Sequence, residues 1–309
     1  MADTAATIDL RGVTKRYGRQ RAVDGVSLQL HAGECAILAG HNGAGKSTLM
    51  KSILGLIQPE EGTVRVLGEL AHSKAAARAR RQLGYLPETV ALHPSLTGSE
   101  TLDFYARLKS LPTAGNRALL ERVGIADAAH KRVGGYSKGM RQRLALAQAL
   151  LGTPRVLLLD EPTTGLDPAS RLLFYEIVGE LRARGAAILL STHALAELEG
   201  LADRVFVLQK GKKIADGSLA DLRRQADLPV RIRLTLAAPP AGLPTGWQHI
   251  GPQRIELQCA NADKIDHLRQ AQDFAGLRDI ELEQPGLDEM YAHFLRREPA
   301  AATRQEQAA

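Results

Sequence analysis

The chain has 309 residues and a formal net charge of +6, and this length suggests two domains rather than one. Hydrophobic residues make up 44% and aromatic residues only 4%, so we expect an aliphatic core, and few aromatics without a recognised binding motif argue against a nucleic-acid partner. The two cysteines, Cys35 and Cys259, exclude a disulfide framework and fit a reducing compartment.

Neither a secretory signal nor a membrane-spanning segment is predicted. The first ten residues lack the basic and apolar regions of a signal peptide. The longest apolar runs, such as 156–159, are far shorter than the about 20 residues that cross a bilayer. We therefore expect a soluble protein that reaches a membrane only through a partner. The excess positive charge indicates a solvated surface, and some arginines could also face an anionic leaflet.

Two regions of the chain differ in pattern. Residues 1–226 alternate short β-like runs with helical runs punctuated by glycine, which is typical of an α/β domain with a mostly parallel sheet. Residues 227–297 are predicted to form a small α+β domain, and residues 298–309 a frayed tail. No internal repeat is visible.

The first chemical motif is GHNGAGKS at 40–47, which matches the phosphate-binding pattern G-x-x-x-x-G-K-[ST]. The apolar run 35–39 predicts a preceding strand, and apolar residues at helical spacing predict a following helix. Glycines let backbone N–H groups turn toward phosphate oxygens, and the helix start adds the positive end of its dipole. The loop residues expected to contact phosphate are Gly40, His41, Asn42, Gly43, Ala44, Gly45, Lys46, Ser47 and Thr48.

Four residues of two motifs have predicted individual roles. Lys46 should reach the β- and γ-phosphates of a nucleotide, and Ser47 should ligate Mg²⁺. In VLLLDE at 156–161, a buried strand is followed by two carboxylates. Asp160 would hold Mg²⁺ through water, and Glu161 would orient and deprotonate the attacking water. Since neighbouring residues of a strand point to opposite sides, the two acids can have separate tasks.

Two capped helices are also predicted. Thr97, with Glu100 three residues later, forms a capping box. In YSKGM at 136–140, Ser137 is the N-cap of a helix and Gly139 lies in its first turn, because apolar residues then recur at helical spacing. A helix N-terminus can bind an anion, but the spacing alone favours an ordinary capped helix.

The region after residue 226 predicts a mixed fold. Apolar and polar residues alternate strictly over 230–236 and 254–259, which indicates half-buried strands. The proline- and glycine-rich stretch 237–248 predicts a loop between them. Apolar residues at helical spacing over 287–295 predict a final helix.

The motifs GHNGAGKS, YSKGM, LLLDEPTTGLD and STH occur in this order, and residues 7 to about 220 resemble the ABC ATPases. The resemblance implies a P-loop cassette that binds ATP and Mg²⁺, hydrolyses ATP and forms a homodimer around two nucleotides. Ser137 and Gly139 would then meet the γ-phosphate of ATP held by the other subunit. A helical subdomain over about 89–150 would receive a transmembrane partner.

Further residues take roles only through this resemblance. Tyr17 resembles the aromatic that stacks on adenine, and Asp167 belongs to the loop that communicates across the dimer. His193 resembles the histidine that contacts the γ-phosphate and supports Glu161. Without the family, Tyr17 and His193 would be interpreted as packed side chains, since both residue types are of intermediate burial. Glu88 stands where most members have glutamine; it can ligate Mg²⁺ but adds negative charge near the phosphates.

The sequences YSKGMRQR and LGYLPE and the appended domain resemble the exporter-type branch, in particular ATPase subunits of transporters that mature the copper site of nitrous oxide reductase. This implies two membrane permease subunits, a periplasmic accessory protein and a place on the cytoplasmic face of the inner membrane. Exporters of a drug, lipid or polysaccharide are alternatives, and an ABC ATPase without a transport role is a weaker one. The scattered histidines and the two cysteines are not expected to bind copper.

Overall fold

The computed structural model describes residues 6–192, 195, 200–240 and 242–296. The chain divides into two compact units after Asp216, ten residues before the boundary that the sequence suggested at 226. The difference arises from the helix Leu219–Ala226, which packs against the C-terminal helix Leu287–Arg296. Within the described ranges, no helix is both long enough and apolar enough to cross a membrane.

The first unit contains an antiparallel sheet of order β2-β1-β4-β5 and a six-stranded sheet of order β10-β9-β3-β8-β7-β6. Its strands are β1 (Ile8–Tyr17), β2 (Gln20–Leu30), β3 (Cys35–Ala39), β4 (Glu61–Val66), β5 (Glu69–Leu70), β6 (Leu83–Leu86), β7 (Val156–Asp160), β8 (Ala187–Thr192), β9 (Arg204–Gln209) and β10 (Lys212–Gly217). Its helices are α1 (Lys46–Ile53), α2 (Ala77–Arg81), α3 (Gly98–Leu108), α4 (Asn116–Arg122), α5 (Lys138–Ala149) and α6 (Pro168–Ala183).

The centre of the six-stranded sheet is parallel, as the alternating pattern predicted. Strand β3 pairs with β8 and β9, and β7 pairs with β6 and β8, all in parallel. Every residue of β3, β7 and β8 is buried, which is why these strands are continuous apolar runs. Their carboxyl ends lie at one edge of the sheet, where ligands bind in open α/β folds. The α/β fold class is therefore confirmed.

The segment between β6 and β7 contains the helices α3, α4 and α5. Helix α3 begins at the capping box that the sequence predicted, with Thr97 accepting from the Glu100 N–H at 3.2 Å and the Glu100 carboxylate accepting from the Thr97 N–H at 2.8 Å. Helix α5 packs against α3, α4 and β6. The buried Tyr136 hydroxyl donates to the Ala128 carbonyl at 2.6 Å and anchors the segment just before α5.

The second unit is a four-stranded antiparallel sheet of order β12-β13-β11-β14 with three helices. Its elements are α7 (Leu219–Ala226), β11 (Val230–Leu236), β12 (Trp247–Gly251), β13 (Arg254–Cys259), α8 (Lys264–Ala271), β14 (Leu277–Glu283) and α9 (Leu287–Arg296). The sequence predicted β11, β13 and α9, but it did not predict α7, β12, α8 or β14. Strand β14 was not predicted because six of its seven residues are exposed at the sheet edge, so no alternation of buried and exposed residues marks it.

The two faces of this sheet differ in chemistry. Ile232 and Leu234 of β11 lie in the apolar core. On the other face, Arg233 bonds Glu256 at 2.7 Å and lies 2.7 Å from Glu283. The alternation at 230–236 is therefore explained by an aliphatic face and an ionic face.

Gly84 in β6 tests how closely α5 packs on the sheet. An added Cβ would lie 2.2 Å from the Ala149 carbonyl oxygen and 2.7 Å from Leu157 Cδ1. We expect Gly84→Ala to lower the free energy of unfolding by about 1–3 kcal/mol through overpacking. Gly179→Ala, in α6 with nothing within 4 Å of the new Cβ, should instead raise it by about 0.5–1 kcal/mol. Thermal unfolding of both variants checks the pair, and equal effects would contradict the packing argument.

Candidate functional site

The phosphate loop joins β3 to α1, and its backbone requires glycine. Gly43 and Gly45 have φ angles of 81° and 108°, which favour a residue without Cβ. A Cβ on Gly45 would lie 2.4 Å from the Ala22 carbonyl oxygen. The Ala44 carbonyl accepts from the Gly211 N–H at 3.0 Å. The phosphate loop is therefore packed against strand β2 and hydrogen-bonded to the turn between β9 and β10.

Lys46 begins α1 and places its ammonium at the centre of the site. The residue is 7% exposed, and its Nζ donates to the carbonyls of Gly40 and, at 3.4 Å, His41. The same Nζ lies 4.0 Å from Glu161 Oε1. A buried cation beside a carboxylate and two carbonyls is ready to receive an anion such as a phosphate oxygen.

Asp160 and Glu161 are both buried but differ in backbone. Asp160 ends β7, and its Oδ2 accepts from the Ser47 hydroxyl at 3.2 Å. Glu161 has a φ of 49°, a left-handed conformation rare outside glycine. Because the strand ends at Asp160 and the chain turns at Glu161, both acids line one pocket. The alternation expected from a continuous strand does not apply to this pair.

Ser191 is a site residue that sequence reasoning did not single out. It lies in β8, fully buried and directly beside Asp160 in the parallel register. Its hydroxyl donates to Asp160 Oδ1, and its oxygen accepts from the Glu161 N–H at 3.1 Å. The available signal was a polar residue at the carboxyl end of an apolar strand, which a parallel sheet brings next to Asp160.

These residues enclose a pocket of about 410 Å³. Tyr17 lines it with half of its surface exposed, and Glu88 lines it near Asp160. Burial, together with the negative charges of Asp160 and Glu88, raises the pKa of Tyr85 to about 12. Of the predicted residues, the pocket brings together Tyr17, His41, Asn42, Gly43, Gly45, Lys46, Ser47, Thr48, Glu88, Asp160 and Glu161.

Gly40 and Ala44 belong to the phosphate loop itself, and the other predicted residues either lie away from the pocket or fall outside the described residues. Ser137 and Asp167 do not line this pocket; they are the N-caps of α5 and α6, as the capping pattern predicted for Ser137. Hydrogen bonds from Ser170 lower the pKa of Asp167. Gly139 lies in the first turn of α5 with open space around a Cβ position. His193 lies outside the described residues, so its predicted role stays a prediction.

The metal-binding chemistry of the site is limited to oxygen. In the described part of the chain, no group of three or more His, Cys, Asp or Glu side chains could hold a metal ion. Ser47 and Asp160 place two oxygens 3.2 Å apart, which suits a cation that takes one or two protein ligands and completes its shell with water and phosphate. Burial raises the pKa of Cys35 to about 12, so that residue stays a thiol at neutral pH.

A phosphate loop between β3 and α1, with Asp160 at the end of β7 and Glu161 directly after it, defines a P-loop nucleoside triphosphatase. The ABC transporter family model matches residues 23–164. The daunorubicin resistance ATP-binding protein DrrA3 of Streptomyces coeruleorubidus is 38% identical over 307 residues, covering 95% of this chain and 96% of the relative. The Nod factor export ATP-binding protein I of Burkholderia orbicola is 44% identical over 219 residues, 70% and 72% of the two chains.

Solved structures agree with this. An ATP-binding subunit of an ABC transporter superposes with a TM-score of 0.67 at 34% identity, over 71% of this chain and 92% of that one. An ATP-binding cassette of an ABC transporter in its ADP conformation has the same fold, with a TM-score of 0.62 at 23% identity. The superposition covers 71% of this chain and 93% of that one. The chain belongs to the ABC transporter ATP-binding proteins. It binds ATP and is an ATPase, which confirms the family, fold and activity predicted from the sequence.

Ser191→Ala tests whether this hydroxyl positions the two acids. The change removes hydrogen bonds to the Asp160 carboxylate and the Glu161 N–H, so we expect kcat to fall about tenfold or more, the size of one hydrogen bond to a charged group. Apparent affinity for ATP should stay nearly unchanged. Thr101→Ala, which removes a buried hydroxyl bonded to the Thr97 carbonyl at 2.7 Å, is the control. Equal kcat values for the two variants would contradict the assignment.

Proposed function

We propose that this chain is the ATP-hydrolysing subunit of an exporter-type ABC transporter. The observation that carries the proposal is one pocket that joins the phosphate loop at Lys46 and Ser47 to the acids Asp160 and Glu161. The named export and drug-resistance relatives support the exporter branch. The turn at Glu161 brings both acids to the phosphate end of the pocket.

Each residue then has a task in hydrolysis. Lys46 would neutralise the β- and γ-phosphates. Ser47 directly and Asp160 through water would hold Mg²⁺, which when bound would stabilise the charge of the phosphates. Glu161 orients and deprotonates the attacking water, and Ser191 fixes its backbone. Glu88 lines the same pocket and would add a further carboxylate as a candidate Mg²⁺ ligand.

Tyr17 is the proposed stacking partner of the adenine ring of ATP. Half of its surface is exposed on the pocket wall, as a ring that stacks on adenine requires. The predicted contact of His193 with the γ-phosphate is carried over from the family resemblance alone.

The working unit that we propose is a homodimer with two ATP molecules between the chains. Ser137 and Gly139 lie at the start of α5 and do not line the pocket. A two-fold axis would bring this helix N-terminus of one chain to the γ-phosphate held by the other, twice in each dimer. A bacterial ABC cassette described as dimeric shares the fold, with a TM-score of 0.64 at 24% identity over 69% and 98% of the chains.

Two transmembrane permease subunits are the proposed partners of this dimer. A cavity of about 340 Å³ between β6 and α3 is lined by apolar and aromatic residues that include Tyr85, Leu92, Tyr105 and Leu108. Leu108 is 64% exposed and Phe104, one turn earlier on α3, is 50% exposed, and an exposed apolar pair on one helix suits a protein contact. The dimer would sit on the cytoplasmic face of the inner membrane.

For the cargo we propose copper-site maturation of nitrous oxide reductase, with a periplasmic accessory protein. The support is the sequence resemblance, which continues into the second unit as LPVRIR at 228–233. The printed names of the relatives favour a second candidate, export of an organic molecule such as a drug, lipid or polysaccharide.

Glu161→Gln tests the catalytic base. The variant should bind ATP with nearly the parent affinity, because the phosphate loop is intact, and lose about 10²–10⁴ in hydrolysis rate. With ATP and Mg²⁺ it should accumulate as a dimer. Phosphate release, equilibrium ATP binding and light scattering measure the three quantities. More than half of the parent rate would rule out Glu161 as the base.

Adding Gly139→Asp to that variant tests the sandwich. Gly139 has room for a side chain in the isolated cassette, so folding and ATP binding should persist, while the carboxylate repels the γ-phosphate of the opposite chain and abolishes the dimer. Gly115→Asp, before α4 and equally open, is the charge-matched control and should leave the dimer intact. A dimer in both double variants would contradict the proposed geometry.

Deleting the gene in its own organism distinguishes the two cargos. If the chain serves copper-site maturation, nitrous oxide reductase from the deletion strain should lack most of its catalytic-site copper, and the wild-type gene but not Glu161→Gln should restore it. Metal analysis of the purified reductase is the measurement. Fully loaded reductase in the deletion strain would favour export of an organic molecule instead.

A further inference from the structure

The second unit contains a cavity that ATP hydrolysis does not use. It has a volume of about 600 Å³ and lies between the loop after β11 and the end of α8. Cavities of roughly 300–1,000 Å³ are the size that holds a drug-sized ligand. Among its lining residues are Pro239, Pro240, Trp247, Phe274 and Asp273.

The cavity walls are aromatic and pre-formed. The Trp247 and Phe274 rings meet edge to face, with centroids 5.1 Å apart and an interplanar angle of 63°. Trp247 is only 7% exposed and belongs to the apolar core of this unit, so its ring is held in place. Prolines in the facing loop restrict the backbone. Such walls favour a flat or bulky apolar ligand, and indole rings also attract cations.

The charge of the cavity has one sign. Among the described residues that line it, Asp273 is the charged one, and none of them is a lysine, arginine or histidine. The carboxyl end of α8 reaches Ala271 and adds the negative end of a helix dipole. The cations of α8 are engaged elsewhere: Lys264 donates to Asn261 at 2.8 Å and Arg269 to Asp266 at 3.1 Å.

We propose that this cavity binds a drug-sized apolar organic cation, with its apolar body against Trp247 and Phe274 and its positive charge toward Asp273. Through this cavity the second unit would sense such a compound in the same chain that hydrolyses ATP. This cavity and the nucleotide pocket share no lining residue. Ligand binding to the cavity can therefore be tested independently of the roles proposed for the ATPase residues.

Trp247 is the single tryptophan of the chain and is therefore an intrinsic probe. Tetraphenylphosphonium titrated into the full-length protein should change its tryptophan emission saturably. Tetraphenylborate, which has nearly the same shape and the opposite charge, should bind at least about tenfold more weakly because Asp273 and the helix end repel it. Equal affinity for the two ions would overturn the charge argument.

Two variants locate the binding. Asp273→Asn should weaken tetraphenylphosphonium binding about three- to tenfold, as expected for an exposed charge pair. Asp266→Asn, within α8 and outside the cavity, should not weaken it. Ala238→Arg, at an exposed lining position, should weaken the cation and strengthen the anion. Thermal unfolding of each variant confirms that it is folded.

Three further results would overturn the proposal. The first is the absence of a saturable emission change with tetraphenylphosphonium. The second is equal effects of Asp273→Asn and Asp266→Asn, which would place binding elsewhere. The third is tryptophan emission that depends on protein concentration without any probe, which would assign the cavity to contact with a second copy of the chain.

Discussion

The parallel pairing of β3, β8 and β7 is the constraint on which the catalytic geometry depends. Its register places Ala39 beside Thr192, and Ser191 beside Asp160. Because neighbouring strands lie about 4.8 Å apart, the phosphate loop, the Ser191 hydroxyl and the Asp160 carboxylate meet at one edge of the sheet. A slip of one residue in β8 would turn Ser191 away from Asp160 and break the hydrogen bond between them.

Around this edge, the fold holds unfavourable local conformations in place. Glu161 adopts a left-handed backbone that costs about 1–3 kcal/mol in a residue with a side chain. Gly45 passes so close to Ala22 that no side chain fits. Hydrogen bonds from Glu161 to Ser191 and from Gly211 to Ala44 fix these segments. Both Glu161 and Gly45 line the nucleotide pocket, so their fixed conformations pre-organise it.

The two units have separate chemical characters. The first has a polar pocket of one lysine and three carboxylates, which suits a phosphate with its cation. The second has an aromatic cavity with one carboxylate, beside a sheet whose other face is an ionic ladder. Nucleotide hydrolysis needs a polar pocket, and binding of the proposed apolar cation needs an aromatic one. The chain places these two pockets in different units.

The sequence by itself determined the features that consecutive residues encode. The phosphate loop, the N-caps at Thr97 and Ser137, the buried strands and the alternating strand at 230–236 all follow from spacing and local hydrogen bonding. Tertiary structure decided that Glu161 shares the pocket of Asp160, that Ser191 bonds both, and that α7 joins the second unit. Those outcomes depend on strand register and on contacts between residues distant in the chain, which no short pattern records.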